Sequence, residues 1–169
     1  MRRASGWSLV EIILVIVILG TLAVFVAPVL MRALGAYRSI DDTVATFAKL
    51  RYATERIARE IREVRRDPAS SADYHFTSMT PTNATFFKLD GTQVAITSAA
   101  GTVTVNYIGT ASGLLTDRVA AFAFAYLQQD GTTPATGVGD VAFVELGMTL
   151  SDGSASYPSR MRIDLRNLP

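Results

Sequence analysis

Cysteine is absent from the 169 residues, which excludes a disulfide framework and thiolate metal sites. Histidine occurs once, at His75, so a Ser-His-Asp triad would have to use that single ring. It stands in Asp73-Tyr74-His75-Phe76 with no nucleophile-elbow motif beside it, and reads as a loop or strand-edge residue. No phosphate loop, dinucleotide glycine fingerprint or zinc spacing is present. Charge is also scarce. Asp, Glu, Lys and Arg make up 18% of the chain, and a formal net charge of +1 argues against a polyanion-binding specialist. Asp130, Asp140 and Asp152 fall in expected loops without the alternating acidic spacing of an EF-hand, so they read as turn formers rather than calcium ligands. There is no convincing internal repeat. The sequence gives no support for an enzyme, a cofactor or a metal.

What is abundant is apolar side chain, at 49% of residues, enough for one modest domain beside an extended element. Its distribution is uneven. From Ile12 to Met31 there is no charged residue, and nearly every position is Ile, Leu, Val, Ala or Phe. About 20 such residues cross a bilayer as a helix. Arg2 and Arg3 precede the run, so the N-terminus is expected to stay cytoplasmic and the remainder to lie outside. Secretory cleavage at the far end of the run is disfavoured. Ala27 would be the last signal residue, but Phe25 is bulky two positions earlier and Pro28 would follow the cut.

A plain single-span anchor leaves Glu11 unexplained, because an unpaired carboxylate at the edge of hydrocarbon costs free energy unless a partner meets it. The stretch Gly6-Trp7-Ser8-Leu9-Val10-Glu11-Ile12-Ile13-Leu14-Val15-Ile16 resembles the prepilin signature of type IV pilins and type II secretion pseudopilins. The resemblance implies a prepilin peptidase that cuts between Gly6 and Trp7 and N-methylates the new terminus. It also implies that Glu11, then the fifth residue, meets the N-terminal amine of a neighbouring subunit. Pro28 matches the proline at which pilin helices loosen within the fibre. Trp7 departs from the family, which usually has phenylalanine there.

Beyond Met31 the helical period continues. Ile40, Val44, Phe47, Leu50, Thr54, Ile57, Ile61 and Val64 share one face. Arg51, Glu55, Arg56, Arg59, Glu60, Arg62, Glu63, Arg65 and Arg66 occupy the other, with signs interleaved as on a solvated surface rather than a nucleic-acid site. Asp67-Pro68 gives a stop. After Pro68 the period becomes two. Phe87 to Val94 reads as a hairpin on an Asp90-Gly91 two-residue turn, and strands are expected at Thr102–Ile108, Val119–Leu127, Val141–Leu150 and Arg160–Arg166. The loops between them include Asp130 to Asp140 and Ser151 to Ser156.

The expected architecture is α+β and pilin-like: a leader at 1–6, a transmembrane and assembly helix at 7–31, its amphipathic continuation at 32–66, and an antiparallel β domain at 67–169 packed on that continuation. Leu50 to Arg62, and Leu115-Thr116-Asp117-Arg118-Val119, are similar to minor pilins and J-type minor pseudopilins. That resemblance implies a structural, minor subunit of a type IV pilus or type II pseudopilus. Its partners would be the prepilin peptidase, other subunits, an inner-membrane assembly platform and lipid. Its final location would be periplasmic or extracellular. A major pilin, or a membrane-anchored periplasmic ligand-binding module, remains open. The first prediction concerns processing: protein extracted from membranes should begin at Trp7, having lost Arg2 and Arg3 and moved from a side-chain charge of +1 to −1. Intact mass and N-terminal sequencing measure this; a retained Met1, or a start at Pro28, overturns it.

Overall fold

The computed structural model describes residues 8–110, 112–153 and 155–165. One long helix, α1 (Leu9–Arg62), precedes ten strands: β1 (Arg66–Asp67), β2 (Ser70–Tyr74), β3 (Phe76–Thr80), β4 (Asn83–Phe87), β5 (Gln93–Ala99), β6 (Thr102–Tyr107), β7 (Gly113–Thr116), β8 (Val119–Leu127), β9 (Phe143–Ser151) and β10 (Ser156–Asp164). The fold class is α+β, as the two periods in the sequence predict. The chain divides into two compact units, Met1–Asp42 and Thr43–Pro169.

In the second unit the strands do not form one sheet. Every pairing is antiparallel, and consecutive strands are neighbours. They give a two-stranded β1–β2 ribbon, a five-stranded β3–β7 sheet and a three-stranded β8–β10 sheet. A single core joins both larger sheets to the C-terminal part of α1. Ile57 and Ile61 come from the helix, Phe86, Ile96 and Val103 from one sheet, and Val144, Leu146 and Ile163 from the other, all without solvent exposure. Burying one such side chain is worth about 1.5–3 kcal/mol. The expected alternation in β8, β9 and β10 holds: Phe124, Leu146, Met148, Leu150 and Ile163 face in, while Ala121, Ala123 and Arg160 face out. The strand expected to begin at Val141 begins at Phe143, after a 3-10 turn at Val138–Asp140.

Three local expectations are corrected. First, α1 stops at Arg62 rather than Arg66. The main chain from Glu63 to Arg65 is taken by the β4–β5 hairpin: Leu89 N–H donates to the Glu63 carbonyl at 3.0 Å, Arg65 N–H to that of Phe87 at 2.9 Å, and Val64 bridges Lys88. Second, the apolar stripe is buried only from Leu50 onward. Val44 and Phe47 remain 61% and 51% exposed, because Thr46 is the position turned inward at that level. The Phe47 ring leans instead on Tyr157, 4.7 Å away at the surface. Third, Asp90-Gly91 does not make a two-residue turn. Lys88 N–H closes onto the Thr92 carbonyl, Gly91 N–H onto that of Lys88, and only Gly91 has positive φ. The two-residue turn is at Ala100-Gly101, where both residues take positive φ, at 50° and 74°.

A fourth correction concerns Glu60, expected on the solvated face yet only 2% exposed. Arg56 Nη2 approaches its Oε1 at 2.8 Å, the Tyr107 hydroxyl donates to the same oxygen at 2.7 Å, and Lys88 Nζ lies 3.1 Å from Oε2 as an ion pair without hydrogen-bond geometry. Lys88 also reaches Glu63 at 2.7 Å. The cluster ties the helix to β6 and to the β4–β5 turn, and a carboxylate is tolerable there because two cations and a phenol surround it. Burial alone would lower the Lys88 pKa, but its attraction to the Glu63 and Glu60 carboxylates outweighs that and holds it above the ordinary lysine value. Burial, with the Glu60 hydrogen bond second, raises that of Tyr107.

Both raised groups hold their protons more tightly folded than unfolded, so their stabilisation is complete below the unfolded values and is lost as pH rises through the folded ones. Stability should therefore be flat across neutral pH and fall above about pH 10. Glu60→Gln keeps the volume but removes the charge facing Arg56 and Lys88, and should cost about 3 kcal/mol in denaturant unfolding. A loss below about 1 kcal/mol would make the cluster equivalent to a surface ion pair.

Candidate functional site: the exposed apolar helix

In the first unit, considered by itself, α1 carries large apolar side chains that are solvent-exposed throughout, from Leu9 at 75% to Met31 at 72%. By length and composition this stretch can cross a membrane. The uncharged residues Ile12–Met31 span about 30 Å at 1.5 Å per residue, the thickness of a bilayer's hydrocarbon. Apart from the rung that Pro28 cannot supply, main-chain groups are satisfied within the helix, as hydrocarbon requires. The one side chain in the span with a hydroxyl, Thr21, returns its proton to the Ile18 carbonyl at 2.8 Å. The structure is compatible with membrane anchoring through a single helix.

Glu11 lies in the first turn of α1. The helix starts there because Ser8 caps it: Glu11 N–H donates to the Ser8 carbonyl at 3.1 Å and reaches Ser8 Oγ at 3.4 Å. Ser8-Leu9-Val10-Glu11 therefore fits the capping-box spacing, a signal that was legible in the sequence and that adds a local role for Glu11. A carboxylate at this position also opposes the positive end of the helix dipole. Among the described residues its carboxylate has no ion-pair partner. The chain brings an acidic group to the threshold of an apolar rod and pairs it with no described cation.

Pro28 is internal to α1. It has no N–H for the Val24 carbonyl, so one rung of the helix is missing in mid-span. Gly20 and Gly35 flank it with nothing packed within 4 Å of where a Cβ would stand. Each glycine costs about 1 kcal/mol of helix propensity relative to alanine. From Ala36 to Arg62 the helix has neither residue type. Gly6 and Trp7, the expected processing residues, lie outside the described residues, as do Arg2 and Arg3.

Elsewhere the aspartates singled out in loops are consumed by their own turns. Asp130 accepts from Thr132 and Thr133 N–H at 2.9 Å each, Asp140 from the Thr136 hydroxyl, and Asp152 from Ala155 N–H and the Tyr157 hydroxyl at 2.7 Å. Hydrogen bonds from Thr133 and Thr132 hold the Asp130 carboxyl far below the usual range. Among the described residues no three His, Asp or Glu side chains converge as a metal site. His75 sits between β2 and β3, where its Nδ1 accepts from Arg65 Nε at 3.2 Å and its ring stacks on Phe87 at 4.4 Å. No family model matches the chain, and no curated protein is similar to it.

The two-unit division sets up a solubility prediction. Protein lacking residues 1–31 should leave the membrane fraction and melt cooperatively, since Leu50, Ile57 and Ile61 remain to cover both sheets. Removal through Arg66 should expose that core and cause aggregation. A soluble, cooperatively melting strand-only fragment would show that the helix is not part of the core.

Proposed function

We propose that this chain is a structural, minor subunit of a type IV pilus or type II secretion pseudopilus. In this reading it is made as a prepilin, cut after Gly6, held in the inner membrane with its N-terminus cytoplasmic, and drawn by the assembly platform into a helical fibre through α1. The observation that carries the reading is one helix with two opposite arrangements: apolar side chains turned outward along Leu9–Met31, with Glu11 in the first turn, and apolar side chains turned inward from Leu50 to Ile61. A plain anchor needs the first arrangement without the acid. A fibre subunit needs an apolar surface for its neighbours and one charge that only the correct neighbour can answer. The resemblance of Gly6 to Ile16 to the prepilin signature supports that assignment.

The mechanism requires no bond chemistry from this chain. In the membrane Glu11 remains near the interface, where its cost is lowest. In the fibre the amine freed at Trp7 of a neighbour meets it, and each ion removes the other's desolvation penalty. A subunit out of register would leave both buried and unpaired.

Glu11→Gln should therefore leave processing and membrane insertion intact but reduce incorporation into sheared fibres by two orders of magnitude, as breaking a buried pair costs about 3–5 kcal/mol. Co-purification with fibres, relative to the inner-membrane level, measures it. Equal incorporation of variant and wild type would remove the charge-pair mechanism and favour a membrane-anchored binding module.

A further inference from the structure

The five-stranded sheet is nearly devoid of charge. Between Phe76 and Thr116 only Lys88 and Asp90 are charged, and both lie in the β4–β5 turn, one held by Glu60 and Glu63 and the other by Thr92. By contrast, eleven of the nineteen residues from Lys49 to Asp67 are charged. Alternation sends Ala84, Phe86, Val94, Ile96, Val103 and Val105 into the core. The register then aligns Thr80, Asn83, Thr97 and Thr104 across four strands on the opposite face, with Thr85 and Asn106 in the adjoining row. At about 4.8 Å per strand the first row is about 14 Å of hydroxyl and amide.

β-propensity explains the threonines. It does not explain why Lys, Arg and Glu are missing, since solvated sheets carry them for solubility and against edge pairing. The bonds among these side chains are also slack. Asn83 Nδ2 to Thr97 Oγ1, Gln93 Nε2 to Thr77 Oγ1 and Thr104 Oγ1 to the Thr97 carbonyl are all 3.4 Å, beyond the usual hydrogen-bond range, whereas Thr85 Oγ1 reaches Asn83 Oδ1 at 3.0 Å. Groups held this loosely can exchange a neighbour or a water for a ligand hydroxyl at little cost.

The geometry points to this face as a docking surface for a neutral polysaccharide. Hydroxyls and amides donate and accept, which matches a sugar chain whose hydroxyls do the same. An uncharged face offers nothing to an ionic polymer or anionic lipid, and it spares a neutral ligand the penalty of burying an unpaired charge. The rows run across the strands, so an extended chain meets several such groups in succession. The surface is independent of the fibre reading, because it belongs wholly to the second unit.

The test uses the full chain in nanodiscs of zwitterionic lipid, free of sugar-headed detergent, in affinity electrophoresis through dextran, a soluble β-glucan and a chitin oligomer, with polygalacturonate as the anionic control. At least one neutral polymer should retard the protein, the polyanion should not, and the retardation should persist between about 0.05 and 0.5 M salt because no charge is involved. Thr97→Lys places a cation in the middle of the row and should weaken retention at least about tenfold. Thr97→Ser, which keeps the hydroxyl, should retain it, with the melting curves of both variants unchanged. The proposal is overturned if no neutral polymer retards the protein, if Thr97→Lys binds like the wild type, or if Thr97→Lys abolishes self-association instead, which would make a second copy the occupant.

Discussion

The interaction on which the rest of this structure depends is the burial of one short stripe of α1, Leu50 to Ile61, against two sheets at once. Neither sheet is large. Three strands and five strands, each with one apolar face, cannot exclude water alone, and the helix supplies the surface that both share. Ala53, Ile57, Ala58 and Ile61 are nearly inaccessible to solvent, and the alanines among them let the backbone approach the sheets closely. The helix from Leu50 to Ile61 is thus a structural member of the β domain.

Within that packing Glu60 introduces specificity of a different kind. Apolar contact is tolerant of small slides along the helix axis, whereas a buried carboxylate must meet Arg56, Lys88 and Tyr107 together. A one-turn displacement in either direction would set Arg56 or Val64 where Glu60 stands. The first would put like charges together, and the second would place an apolar side chain against Lys88 and leave Tyr107 without its acceptor. The size pattern at Ala53 opposes the same slips, so packing and charge agree on one arrangement.

How much of this was legible in the sequence varied with the physics behind each element. The two periods in the chain were readable because they follow from which atoms meet water: 3.6 along α1, two along β8, β9 and β10. Strands β3, β4 and β7 were harder. In β3 and β4 the outward positions are mostly Thr, Ser and Asn rather than charged residues, and in β7 the pattern is inverted, with Leu114 exposed and Thr116 buried, so polar and apolar positions contrast weakly. The helix terminus was misplaced because tertiary hydrogen bonds from Phe87 and Leu89, rather than a local stop signal, end it at Arg62. Glu60 was misread for a related reason. A helical wheel places it beside exposed arginines, and nothing local to residues 56–64 announces that Lys88 and Tyr107 arrive from the sheet. The cap at Ser8, by contrast, is announced locally by its spacing to Glu11. For Glu11 the described residues hold no cation that pairs with its carboxylate.

The placement of helix-weakening residues completes the argument. Gly20, Pro28 and Gly35 all fall before Thr43, in the first unit. In water that choice would invite fraying, since isolated helices are marginal even without a missing rung. In hydrocarbon the balance is reversed, because opening a turn exposes main-chain groups that nothing can satisfy, and the environment itself holds the helix together. Weakness is thus confined to the first unit, whose large apolar side chains are exposed. The part of α1 from Thr43 onward, which belongs to the β domain, has no Gly or Pro, is braced by ion pairs such as Arg51 to Glu55, and is fixed by its own core from Leu50. The division of labour along α1 is written in residue type: the rung missing at Pro28 lies in the first unit, and the helix that covers the sheets is left without such a defect.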